Sequence, residues 1–125
     1  MRFSSDTLHY FHQRRHAITR EASLRLKDYF VAKAGYRANG DEIAFFIAVS
    51  QNTITDVRYC VYGGVATIAC CEYVAEWLSN KTFDEVALLT SENILSQLKL
   101  PATKLHVVML ILSALKDFHT AINQR

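Results

Sequence analysis

The feature that most constrains this chain is a change of hydrophobic period in its middle. From Ile43 to Val49 every residue is apolar, and from Thr53 to Tyr62 apolar and polar residues alternate, with Thr55, Val57, Tyr59 and Val61 on one face. A period of two belongs to β-strands. The intervening Ser50-Gln51-Asn52 is polar and tolerant of positive φ, so the two stretches read as an antiparallel hairpin. After Gly63-Gly64 the period lengthens to nearly four, and Val65, Ile68, Ala69, Val74, Trp77 and Leu78 form the apolar side of a helix.

The flanking elements follow from local chemistry. Ser4 or Ser5 can cap a first helix whose apolar residues are Leu8, Tyr10 and Phe11 and which ends at Arg14-Arg15. The stretch Leu24 to Tyr36 reads as a strand, and Ala38-Asn39-Gly40-Asp41 is a turn. Thr82-Phe83-Asp84-Glu85 has the capping-box pattern, in which the Thr and Glu side chains satisfy each other's free amides. A short helix starts there and another spans Ser91 to Leu98. Pro101 stands where a helix start accepts proline, and Leu105, Val108, Met109, Leu112, Leu115 and Ile122 then mark a long terminal helix. Helix, three strands, then helices predicts an α+β fold: a small three-stranded antiparallel sheet packed with helices.

Half of the 125 residues are hydrophobic and 21% are charged, which suits one domain over residues 1–125. A net charge of +2 gives no field that would recruit nucleic acid. No apolar run approaches the ~20 residues that span a bilayer, so no membrane association is expected. The first twenty residues are rich in Arg and His and fit an amphipathic helix of the domain better than a transit peptide. Three cysteines (Cys60, Cys70 and Cys71) are an odd count with an adjacent pair, which suits a reducing, cytoplasmic setting. There is no nucleophile elbow, P-loop or dinucleotide fingerprint, and no enzyme activity is expected.

Several ordered motifs resemble the IscU/NifU-type iron–sulfur cluster scaffold family. These are Tyr62-Gly63 leading into a helix with Val74-Ala75-Glu76-Trp77, then Asn80-Lys81-Thr82-Phe83-Asp84-Glu85, then Leu100-Pro101 before Lys104-Leu105-His106. Upstream, Ala38-Asn39-Gly40-Asp41 falls where the family has an A-C-G-D loop. The resemblance covers nearly the whole chain and implies the IscU/SufE-like version of the α+β fold. It also implies three loop cysteines that hold a nascent cluster or zinc beside an Asp and a His. Here those three cysteine positions are Asn39, Gly64 and Val107, so the cluster site is degenerate and no cluster ligand is certain.

Of the family's site, Asp41 and His106 remain, with Lys104 beside them. They form either a residual zinc or iron site completed by a further donor, or a carboxylate–imidazole pair tying two loops together. The latter is favoured, because two protein ligands fall short of the three or four that zinc takes. Cys70 and Cys71 are expected to be buried small hydrophobes and Cys60 to stop short of the loops. His9, His12 and His16 would align on a helix, though the tract reads better as a solvated helix end. In the family a chaperone reads an L-P-P-V-K segment, which stands here as Leu100-Pro101-Ala102-Thr103-Lys104. The ends of this partner-binding segment, Leu100, Pro101 and Lys104, survive. The resulting expectation is a scaffold-fold protein that binds a protein partner of the iron–sulfur assembly system. A dimer through some of the aromatics Tyr29, Phe30, Phe45, Phe46, Tyr59 and Tyr62 is left open.

Overall fold

The computed structural model describes residues 2–124 and has the predicted order of elements. Helix α1 (Ser5–Gln13) is capped by the Ser4 hydroxyl, which accepts from the Thr7 amide. A short α2 (Arg20–Ser23) leads to the strands β1 (Phe30–Tyr36), β2 (Asp41–Ser50) and β3 (Thr53–Tyr62). Helices α3 (Val65–Leu78), α4 (Phe83–Val86), α5 (Ser91–Leu98) and α6 (Leu105–Asn123) follow. The sheet is antiparallel in the order β1-β2-β3. The α+β expectation therefore holds.

The β2–β3 hairpin turns on Gln51 and Asn52, both at positive φ (50° and 66°), which matches the right-handed twist of the strands they join. The expected alternation along β3 fails at one point. Pairing passes from Ala48 with Asp56 to Val49 with Ile54, so Thr55 is the extra residue of a bulge, and Ile54 is buried in its place. Beyond the bulge, Val57 and Tyr59 face the core as expected, in cross-strand rows with Ile47 and Phe45.

Three further expectations need correction. The first strand begins at Phe30 and not at Leu24: the Thr19 hydroxyl caps α2 and Asp28 sits at φ 63°, which interrupts the extended chain. The core stripe of α6 is Val108, Ile111, Leu115, Phe118 and Ile122, at spacings of three and four, while Leu105 and Met109 are exposed. Two overlapping apolar periods exist in that helix, and the one carrying Phe118 packs against β1, where Phe118 meets Phe30 edge-on. Helix α3 is buried on most of its circumference, because it packs against α1, β3, α5 and α6 together. The 102–123 stretch reaches a mean hydropathy of 1.4, enough by length and composition to cross a bilayer, yet its apolar stripe forms core with the sheet and with α3 and α5. The capping box at Thr82 and Glu85 forms as predicted.

One buried charge organises the N-terminal half. Glu72, in the middle of α3, is fully buried. It accepts hydrogen bonds from Gln13 Nε2 at 2.8 Å, the His16 backbone amide at 3.1 Å, His16 Nδ1 at 2.7 Å and the Tyr59 hydroxyl at 3.0 Å. Burial pushes the Glu72 carboxyl up, but these donors outweigh it and hold the group below its ordinary range. Burial first, and then the same carboxylate, raise the Tyr59 hydroxyl pKa. Beyond Glu72, residues 16–18 run along the free edge of β3: Tyr59 N donates to His16 O, and Ile18 N donates to Tyr59 O. Helix α1 ends at Gln13 with Arg14 in the left-handed region, so His16 does not share a helical face with His9 and His12.

Removing this carboxylate strands four buried or half-buried donors. Glu72→Ala is predicted to lose about 3 kcal/mol in urea unfolding, whereas Glu76→Ala, at the surface, changes stability by under about 0.5 kcal/mol. Because the folded-state pKa of Glu72 is lowered, its contribution is complete above the unfolded carboxyl pKa of about 4.3 and is lost as pH falls through the lower folded value. Melting temperature should therefore fall with acidification below roughly pH 4.3 in the wild type, and less steeply in Glu72→Ala.

Candidate functional site

The residues singled out by the loop motifs meet at one end of the sheet. A 3₁₀ turn (Arg37–Asn39) and Gly40 at φ 94° lead into Asp41, the first residue of β2. Across from it, β3 passes through Gly63 to Gly64, the N-cap of α3. Gly64 offers no side chain to the free amides of that helix end. Thr67, in the first turn, instead donates its hydroxyl to Asp41 Oδ1 at 2.6 Å, locking β2 to α3. A Cβ on Gly63 would lie 2.7 Å from the same Asp41 oxygen and 3.0 Å from the Thr67 Cβ, so a side chain there would displace this pair. Gly64 has open space around its Cβ direction.

His106 arrives from the start of α6. Its Nε2 lies 3.9 Å from Asp41 Oδ2, within ion-pair range but beyond a direct hydrogen bond, and its Nδ1 is 3.2 Å from the Thr103 carbonyl oxygen. The imidazole is 62% exposed while Asp41 is 15% exposed, so the pair sits at a mouth with the carboxylate inside. The structure thus brings Asp41 and His106 together, and Thr67 is the direct partner of Asp41. Thr67 was missed in the sequence; its signal was a hydroxyl in the first turn of a helix whose N-cap is glycine. Glu72 was missed as well, though it stands alone as a charge in the central turns of an apolar helix.

The three positions where the family resemblance places cysteines differ in setting. Asn39 is exposed in its turn, Gly64 faces open space, and Val107 is 2% exposed within the core. The cysteines that are present lie elsewhere. Cys70 and Cys71 are fully buried in α3. Burial pushes the Cys70 thiol up to about 12, and burial together with Cys70, Asp41 and Glu72 raises that of Cys71 well above the ordinary thiol range. Neither offers a thiolate near neutral pH. Cys60 pairs across the sheet with Ala44 and is half-buried on the face opposite the helices. Among the described residues no three His, Cys, Asp or Glu side chains gather in a way that could hold a metal ion. In the partner segment Leu100 is a core side chain, Pro101 is exposed and Lys104 is half-exposed.

The chain is similar to known iron–sulfur cluster assembly proteins in sequence and to related solved structures in fold. The sequence profile of the NifU-like N terminal domain matches residues 3–124. The iron–sulfur cluster assembly protein IscU of Plasmodium falciparum is 32% identical over 91 residues, covering 73% of this chain and 55% of that protein. The iron–sulfur cluster assembly scaffold protein IscU of Escherichia coli is 34% identical over 83 residues, covering 66% of this chain and 65% of that protein. The chain spans between about half and two thirds of the length of these relatives. Among solved structures, an N-terminal NifU-like protein from Brucella abortus superposes with a TM-score of 0.69 at 13% identity, covering 97% of this chain and 92% of that one. A SufU protein from Fervidobacterium islandicum gives 0.69 at 15% identity, covering 91% and 93%.

The burial of the cysteines gives a direct expectation. Of the three thiols in the native protein, Ellman's reagent should react readily with one, Cys60, and with all three only after denaturation. Loss of the fast phase in Cys60→Ser would confirm the assignment, and fast reaction of two or more native thiols would contradict the burial of Cys70 and Cys71.

Proposed function

Because this chain belongs to the NifU-like N-terminal domain family of iron–sulfur cluster assembly scaffolds, we propose that it keeps the scaffold's fold while its own loop cluster no longer assembles a cluster. It acts by binding a protein partner of the iron–sulfur assembly system, without enzymatic turnover. The observation that carries this reading is the donor set at the end of the sheet. Iron–sulfur clusters are held by thiolate sulfur, and the three positions where the family resemblance places cysteines carry an amide, a hydrogen and a buried isopropyl group (Asn39, Gly64, Val107).

The surviving carboxylate is already engaged by Thr67, and the surviving imidazole is turned largely to solvent. The donors present therefore do not fit a cluster. The exposure of Pro101 and the partial exposure of Lys104, close in sequence to the exposed His106, support a partner contact at this mouth. The contact would involve these residues and the ordered loop ends, with Leu100 supporting them from the core. A second reading, in which Asp41 and His106 hold zinc or iron with one further donor, draws on their 3.9 Å approach and the exposure of the ring.

Anaerobic reconstitution of the native chain with ferrous iron and sulfide tests the main reading. After desalting, the protein should lack visible charge-transfer absorption and acid-labile sulfide. A stable coloured species would overturn the proposal. Stoichiometric zinc or iron in the purified protein that disappears in His106→Ala, with the fold intact by circular dichroism, would select the second reading.

A further inference from the structure

The sheet has a second face that the helices leave open. Cross-strand pairing puts three rows of outward side chains on it: Gly35 with Glu42 and Tyr62, Lys33 with Ala44 and Cys60, and Val31 with Phe46 and Arg58. In the middle row Ala44 and Cys60 are small, so the rows enclose a trough with bulk at both ends. Residues 16–18 run along β3, which carries α2 over this face, and Arg20, Ser23 and Leu24 form an overhanging wall. The resulting groove has a volume of ≈ 890 Å³.

Its chemistry is specific. Eight large apolar side chains are exposed among the described residues, and four of them, Leu24, Val31, Tyr36 and Tyr62, line this one groove. That concentration marks an interaction surface rather than scattered exposure. The charges are unbalanced. Arg37 pairs with Glu42 at 3.4 Å and stacks on Tyr62 at 4.9 Å, while in the neighbouring rows Arg58 is taken by Asp56 at 3.2 Å. Arg20 and Lys33 have no carboxylate partner among the described residues, and Lys33 stands in the central row, across Ala44 from Cys60.

From this charge pattern we infer that the groove docks an extended acidic segment of a partner protein, whose carboxylates meet Lys33 and Arg20 and whose apolar side chains lie over Ala44 and against Phe46 and Leu24. A polypeptide suits the shape better than a small ligand. Pocket ligands are usually 70–90% enclosed, whereas this rim is open, with Leu24 81% and Tyr36 72% exposed. A segment lying across the sheet covers those rim side chains and supplies alternating contacts to floor and wall. The inference is independent of the loop cluster, since the groove lies on the face away from α3 and α6.

Cys60 provides the readout. It lies in the groove, and the other two cysteines are buried. The probe is a fluorescein-labelled ten-residue peptide alternating Leu or Phe with Asp or Glu, compared with the same peptide bearing Lys at the acidic positions. The acidic peptide should bind by anisotropy, slow the alkylation of Cys60 by iodoacetamide, and bind more weakly as salt is raised. Lys33→Glu and Arg20→Glu, both at exposed positions, should each weaken binding roughly tenfold or more by placing like charge against the peptide. The inference is overturned if both peptides protect Cys60 equally, if neither does, if dodecanoate protects it and the acidic peptide does not, or if both charge reversals bind like the wild type. None of these outcomes bears on the cluster reconstitution, so the two readings fail separately.

Discussion

The carboxylate of Glu72 is the constraint on which the N-terminal half of this fold depends. An ion in a water-free interior is tolerated only where its lone pairs are filled, and here the filling groups come from the end of α1, from the strap at residue 16 and from β3. An apolar residue at position 72 could pack equally well but would not dictate where the chain goes after α1. With Glu72 in place, His16 has one location, residues 16–18 must follow the edge of β3, and α2 is delivered over the outer sheet face. The wall of the groove is thus a consequence of a hydrogen-bond requirement on the opposite side of the sheet.

Helix α3 serves both ends of the molecule. Five residues before Glu72, Thr67 holds Asp41 and so fixes the first residue of β2 against the helix start. The closeness of that contact is set by Gly63, where any side chain would intrude on the carboxylate. The loop end of the sheet is accordingly an ordered hydrogen-bonded junction built from Asp, Thr and Gly. In a thiolate-bearing scaffold the same region must bring like charges together around metal; in this chain no such repulsion opposes closure of the loops.

What could be read from sequence was what local chemistry decides. The β2–β3 hairpin, the Thr82–Glu85 capping box and α5 each depend on residues a few positions apart; the capping box and α5 formed as read, and the hairpin did so apart from the bulge at Thr55. The errors arose where distant packing chose between locally equivalent options. Leu24 could have opened a strand, and Thr19 capping and the turn at Asp28 prevented it. Helix α6 offered two apolar stripes, and β1 selected the one containing Phe118. The site was legible only in part. Asp41 and His106 were recognisable through family motifs, whereas Thr67 acquires its role from a partner 26 positions away and Glu72 from partners 13, 56 and 59 positions away, which no periodicity reveals.

If the loop cluster is degenerate as proposed, Val107 bears on what restoring it would cost. At 2% exposure it is part of the hydrophobic core shared with α6 and its neighbours. A thiol introduced there would replace a core valine with a smaller group, and vacated core volume is costly. A change at Gly64 meets no such obstacle, since its side-chain direction is open. On the reading proposed above, restoring thiolates would be uneven: position 64 is open, whereas a change at position 107 acts against core packing.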